Sequence, residues 1–146
     1  MSKHIHKSHN VSKILYHFVC PVKYRRKVIT ENIDKTLIHL CIEISQRYEI
    51  YFLEIGADVD HVHFLIQSVP NISATKIITT IKSITAKKLF EIHPEIVEKL
   101  WGGSFWTSGY FVNTVGAAGN EQTIKKYVKS QGMEYQQFHR DQLTLM

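Results

Sequence analysis

The chain has 146 residues, 44% of them hydrophobic and 11% aromatic, which makes roughly one domain with a core of its own and excludes a disordered, collagen-like or low-complexity chain. No apolar run approaches the roughly 20 residues a bilayer needs, and the polar start MSKHIHKSHNVSK lacks a signal peptide's apolar segment, so a soluble, cytoplasmic protein is expected. Lys and Arg total 18 against 13 Asp and Glu, a net charge of +5 that favours polyanionic partners, nucleic acid foremost.

Residues 1–10 read as a flexible tail and 11–146 as one domain. ILYHFVCPV (14–22), rich in β-branched and aromatic residues, reads as a strand that Pro21 helps to end, followed by a basic connection, KYRR (23–26). Thr30 is the expected N-cap of a helix whose Ile33, Leu37, Leu40, Cys41, Ile44 and Tyr48 make one apolar stripe. Two strands follow, about 49–56 and 61–69, joined by a turn through 56–60. A second helix is expected over 73–90, with Ile77, Ile78, Ile81, Ile84 and Leu89 on one face, and FWTSGYFVNTV (105–115) reads as the fourth strand. The order β-α-β-β-α-β is the ferredoxin-like, RRM-like pattern of an α+β fold, a four-stranded antiparallel sheet with two helices on one face. The core would then end at 115. The small, Gly-bearing 116–119 reads as a hinge, 120–131 as a further helix, and 132–146 as a C-terminal extension. The two cysteines, Cys20 and Cys41, fall in apolar segments and form no legible disulfide framework.

DHVHFLI (60–66) is the most informative segment. Side chains alternate along a strand, so His61 and His63 project from one face, about 6–7 Å apart along the backbone. Two such imidazoles can converge on one divalent ion if other ligands complete its shell. Nine histidines make roughly one half of an H-x-H pair expected by chance, and His4-Ile5-His6 is a second pair, in a polar tail. A sheet face left open by helices on the other side favours a ligand for the 61/63 pair; polar residues on that open face are the alternative. His17 can face the same surface. Asp58 and Asp60 either orient an imidazole or form the turn.

Tyr127 and Gln131 sit one turn apart on the last helix, among Lys125, Lys126 and Lys129. This is either a phosphate-handling face or a packed phenol beside a solvated amide. Lys23, Arg25, Arg26 and Lys27 form a basic cluster. Lys76, Thr80, Ser83 and Lys87 lie in a band opposite the isoleucines of a helix with no acidic residue, a face suited to phosphate oxygens or simply solvated. Trp101 and Trp106 are either stacking platforms for bases or packing residues.

Taken together, these segments resemble the small HUH single-tyrosine transposases, TnpA-type members of the insertion-sequence 200/605 family, and the related REP-associated tyrosine transposases. The resemblance runs through YHFV (16–19), KYRRK (23–27), DHVH (60–63), LWG (100–102), GYFVNTVG (109–116), Tyr127 and Gln131, in family order over about residues 14–131. It implies that His61 and His63 are the HUH pair, that Gln131 is the third ligand of a Mg²⁺ or Mn²⁺ ion, and that Tyr127 is the nucleophile. It implies recognition of DNA hairpins at element ends, then cleavage and rejoining of single-stranded DNA through a 5′-phosphotyrosine. It also implies a prokaryotic cytoplasmic enzyme working as a homodimer, with active sites completed in trans.

The residue types suit that chemistry. A phenol with a pKa near 10 is a poor nucleophile until polarised, and a divalent ion can withdraw charge from a phosphate and its leaving oxygen. An ester kept on tyrosine can be rejoined to DNA without ATP, whereas attack by water would lose it. Two other readings are a non-catalytic RNA- or DNA-binding domain of RRM-like fold, which predicts exposed aromatics on the central strands, and a metal phosphodiesterase that uses water.

Overall fold

The computed structural model describes residues 4–7, 11–101, 103–115 and 134–137; Tyr127, Gln131 and the expected hinge (116–119) and helix (120–131) lie outside them. Within the stretch that leads into the domain, β1 (Ile5–His6) and β2 (Val11–Ser12) pair as a two-stranded antiparallel ladder. β3 (Ile14–Pro21) ends at the proline and runs into a 3₁₀ turn, Lys23–Arg25. α1 (Glu31–Arg47) starts where Thr30 Oγ1 accepts from the Ile33 amide at 3.3 Å, a cap worth about 1 kcal/mol. β4 (Tyr51–Ala57) and β5 (His61–Ser68) form a hairpin, and α2 (Ala74–Ile92) is capped by Ser73, whose Oγ accepts from Lys76 N at 3.0 Å. A short α3 (Glu95–Lys99) and β6 (Phe111–Val115) follow.

These strands give the expected α+β, ferredoxin-like arrangement. The sheet order is β6-β3-β5-β4, antiparallel throughout, and a fifth strand, β7 (Glu134–Gln137), extends it beside β4. β7 arises from within the expected C-terminal extension.

The apolar stripes decide the layers. Ile33, Leu37, Leu40, Cys41 and Ile44 of α1 and Ile77, Ile78, Ile81 and Leu89 of α2 are buried with Phe18, Phe52, Phe64 and Ile66 of the sheet in one core. Each such side chain contributes about 1.5–3 kcal/mol by leaving water. Phe52 and Phe64 meet edge to face across neighbouring strands, with ring centroids 5.9 Å apart. Both helices therefore pack on one face, as alternation along the strands requires.

The fourth strand is shorter than the 105–115 expected. Phe105 and Trp106 are buried in the helix-side core, and Trp106 makes only a single bridge, to Val22. Lys82 Nζ donates to the Thr107 and Gly109 carbonyls at 2.7 and 3.1 Å. Packing against α2 thus takes residues that a strand pattern would have placed in the ladder.

Candidate active site

Alternation also decides what the other face of the sheet carries. Val62, Phe64 and Ile66 point into the helix layer, so His61, His63, Leu65 and Gln67 share the opposite face. The β3–β5 register sets Val19 opposite His63 and His17 opposite Leu65, which adds His17 to that surface. The face is not open at its centre: His17, His63, Leu65, Gln67 and Leu15 are all buried. The positions that an RRM-like reading would fill with exposed aromatics on the two central strands are therefore histidines, aliphatic residues and Gln67.

The three imidazoles form a row. His17 Nε2 lies 2.8 Å from His63 Nδ1, with the rings stacked at 4.9 Å between centroids. The His61 ring is 5.2 Å from that of His63, inclined by 60°. On its outer side His61 Nδ1 is 2.7 Å from Asp60 Oδ1. A carboxylate can only accept, so His61 Nδ1 carries the proton, and a neutral ring keeps its lone pair on Nε2. Arg25 grips the same carboxylate, its Nε 3.3 Å from Asp60 Oδ2 and its Nη2 3.5 Å from Oδ1. The hydrogen bond from His61, with Arg25 beside it, holds the Asp60 carboxyl below the usual carboxylate range. Burial lowers the pKa of His17. Burial first, and the neighbouring His17 and His61 next, lower that of His63 to about 3. A buried imidazole kept neutral is in the form that ligates metals.

The turn between β4 and β5 is set by its aspartates. Val59 N donates to Asp58 Oδ1 at 2.7 Å, so Asp58 shapes the turn, while Asp60 orients the imidazole. Backbone bonds from Val22 N to Asp60 O (2.8 Å) and from Ile29 N to Val59 O (3.0 Å) tie this turn to the segment after β3. Among the described residues no group of three or more His, Cys, Asp or Glu side chains is arranged to hold a metal.

The other expected site residues fall in two places. Lys23, Arg25, Arg26 and Lys27 lie beside the histidine row, at the turn that carries Arg25 to Asp60. Arg25 is thus engaged by a carboxylate, while Arg26 and Lys27 are exposed. Lys76 and Lys87 are exposed on α2, in the layer on the opposite side of the sheet from the histidines. The hydroxyls between them already donate to the helix, Thr80 to Lys76 O and Ser83 to Thr80 O. Trp106 is a packing residue whose Nε1 donates to Thr85 Oγ1 at 2.9 Å, whereas Trp101 is 75% exposed. Sequence reasoning left the Arg25–Asp60 pair unseen. The adjacent acid and histidine at 60–61 signal the imidazole's partner, but nothing local signals the arginine.

The sequence profile described as "Transposase IS200 like" matches residues 10–131. The chain belongs to the IS200-like transposase family. This transposase is 30% identical over 121 residues to the ISDra2 transposase TnpA of Deinococcus radiodurans, covering 83% of this chain and 86% of that one. It is 28% identical over 116 residues to the transposase for insertion sequence element IS200 of Salmonella typhimurium, covering 80% and 75%. Its fold matches that of a solved transposase from Deinococcus radiodurans R1 with a TM-score of 0.70, at 24% identity over 90% of this chain and 98% of that one. It also matches a REP-associated tyrosine transposase solved bound to a REP hairpin, with a TM-score of 0.56, at 12% identity over 88% and 68%. No helix among the described residues is long and apolar enough to cross a membrane.

Proposed function

We propose that this transposase cleaves and rejoins single-stranded DNA at insertion-sequence ends, with Tyr127 as nucleophile and His61, His63 and Gln131 holding a Mg²⁺ or Mn²⁺ ion. The supporting observation is how the two histidines are held. Asp60 engages Nδ1 of His61 and His17 engages Nδ1 of His63, and neither Nε2 has a hydrogen-bond partner among the described residues. Such second partners fix tautomer and ring orientation in metal-ligating histidines. For His63 to ligate through Nε2, its Nδ1 donates to His17 Nε2, which puts the proton of a neutral His17 on Nδ1.

The donor set suits the task. Two neutral imidazoles and a neutral amide leave the ion's charge uncompensated, and a phosphodiester supplies the missing anion. When bound, the ion withdraws charge from a nonbridging phosphate oxygen and from the departing 3′-oxygen. Tyr127 Oη attacks phosphorus and loses its phenolic proton; the P–O3′ bond breaks and the 3′-oxygen gains a proton. The product is a 5′-phosphotyrosine with a free 3′-OH on the other strand segment. A second 3′-OH then attacks the same phosphorus and displaces Tyr127, rejoining DNA with the number of ester bonds unchanged.

Residues 120–131 carry Tyr127 and Gln131 on one helix, with 116–119 as the hinge that brings them to the histidine row of a partner protomer. The enzyme acts as a homodimer in the prokaryotic cytoplasm. It binds DNA hairpins, in keeping with the REP hairpin on the related structure. Lys23, Arg26 and Lys27 meet phosphates beside the active site, and Lys76 and Lys87 meet duplex phosphates on the far layer; Arg25 reaches them only in part, because Asp60 holds it.

The test incubates the protein with single-stranded oligonucleotides tiling the DNA that flanks its gene, with Mg²⁺ or Mn²⁺, and resolves products on a denaturing gel. A covalent adduct that needs metal and single strands and vanishes in Tyr127→Phe is expected. Cleavage without an adduct would replace this reading by a hydrolase that uses water. Mixing His61→Ala with Tyr127→Phe protomers is expected to restore activity, and no rescue would reject sites completed in trans.

A further inference from the structure

The 3₁₀ turn after β3 and the residue after Leu100 build a feature that the chemistry above leaves unused. Tyr24 is 62% exposed and Trp101 75%, the two most exposed large apolar side chains among the described residues. Their ring centroids are 6.2 Å apart. Each ring carries a cation: Lys23 Nζ is 5.3 Å from the centre of Tyr24, and Arg26 Cζ is 5.2 Å from that of Trp101, within the range of cation–π attraction.

The backbone under this pair is strained. Among the described residues, the non-glycine residues with positive φ are Tyr24 (58°), Arg25 (53°) and Trp101 (56°), all in this cluster. Bulky residues rarely adopt that conformation, and it persists only where surrounding bonds hold it. Here Lys23 N donates to Phe105 O, Arg25 N to Val22 O, and Trp101 N to Glu98 O, at 2.8, 2.8 and 3.1 Å. The turn directs the exposed Arg25 to Asp60, while Arg26 lies over Trp101. Tyr24 adjoins Arg25 in the chain, and Arg25 reaches His61 through Asp60.

We infer that Tyr24 and Trp101, flanked by Lys23 and Arg26, are a stacking site for unpaired bases of the DNA strand that enters the active site; this rests on the function proposed above. Stacking needs only the π-face common to all bases, and the flanking cations draw the backbone. No acidic residue lies in 22–30, and Arg25 offsets Asp60, so the Tyr24 side of the surface suits a polyanion; the Trp101 side carries exposed Glu95 and Glu98 beside Lys99. A second copy of this chain is the competing occupant.

The probes are a 12-residue oligodeoxythymidylate and an abasic strand of equal length and charge, each carrying a terminal fluorescein whose anisotropy gives the affinity for the full-length protein, while tryptophan fluorescence is read alongside. The thymidylate is expected to quench the exposed indole and to bind about 10-fold tighter than the abasic strand. Trp101→Ala should lose the quench and bind about 10-fold weaker, with Trp101→Phe restoring most of the affinity. Equal binding of the two strands, or Trp101→Ala binding as tightly as wild type, overturns the stacking site. If the Tyr127 adduct still forms, the proposed function survives that result; loss of both wild-type binding and the adduct ends both. Dissociation of a wild-type dimer by Trp101→Ala, without a change in strand affinity, makes the patch an interface between copies and also overturns the site.

Discussion

His17 on β3 and His63 on β5 meet across the sheet at 2.8 Å, Nε2 to Nδ1, although 46 positions separate them in the chain. The contact uses the one nitrogen of His63 that a ligand bound at Nε2 would not. It makes His17 a positioning residue for the proposed metal site. His17→Ala is expected to weaken Mn²⁺ binding about 10- to 100-fold, and His17→Asn, whose amide oxygen can still accept, should recover part of it. Mn²⁺ titration followed by electron paramagnetic resonance reads this directly; unchanged affinity in both variants would reduce the contact to packing.

Asp60 plays the matching part for His61. Asp60→Ala should cost about 10-fold or more in Mn²⁺ affinity, and Asp60→Asn less, because the amide oxygen keeps the hydrogen bond while losing the charge. Arg25→Gln should cost less again, since the guanidinium is 58% exposed and solvent screens it. An Arg25 variant weaker than Asp60→Ala would reverse that order and give the arginine a more direct role.

The bond from Trp106 Nε1 to Thr85 Oγ1 is buried on the helix side. Thr85→Val keeps the shape and leaves the indole N–H unsatisfied, a loss of about 1–3 kcal/mol. Urea unfolding should show this as a lower midpoint with an unchanged slope, and Thr85→Ser should lie close to wild type.

Cys20 and Cys41 should be inert in the folded protein. Burial pushes the Cys20 thiol up to about 12 and the Cys41 thiol well above its usual value, and the thiolate is the reactive form. At pH 8 a thiol reagent should label neither until the chain unfolds. The same shift fixes a sign: between pH 9.0 and about 12 the unfolded chain releases the Cys20 proton and the folded one keeps it, so this thiol's contribution to stability falls as pH rises. Rapid native-state labelling at pH 8 would contradict the burial.

The two basic surfaces should separate in a salt titration of hairpin binding. Each phosphate contact adds about 0.9 to the slope of log affinity on log salt. Lys76→Gln with Lys87→Gln should flatten the slope and leave the yield of adduct on a saturating strand unchanged, because α2 lies across the sheet from the histidines. Arg26→Gln with Lys27→Gln should lower both. An unchanged slope removes the surface concerned from the DNA path.

What the sequence revealed follows the range of the forces involved. The cap at Thr30, the isoleucine stripe of α2 and the alternation that pairs His61 with His63 are local patterns, and each appears where the sequence places it; Ser73, expected as the first residue of the helix, is its cap. The run at 105–110 looked like strand because Phe105 and Trp106 have strand propensity, but α2 offered them a core, and burial outweighed the ladder. The link from His17 to His63 depends on the β3–β5 register, which no short window contains. The reach of Arg25 to Asp60 depends on two consecutive positive φ angles at residues with no glycine to announce them. β7 has no alternating pattern in EYQQ; it exists because β4 presents an edge.

That edge bears on the proposed sharing of a site between protomers. β6 and β7 occupy opposite margins of the sheet, about 19 Å apart across four strand spacings, and residues 116–133, which carry Tyr127 and Gln131, connect them. If Tyr127 is lent to a neighbour as proposed, β7 must either unzip from β4 or be donated as well, so that the proposed handover becomes an exchange of strands, with a barrier set in part by that ladder.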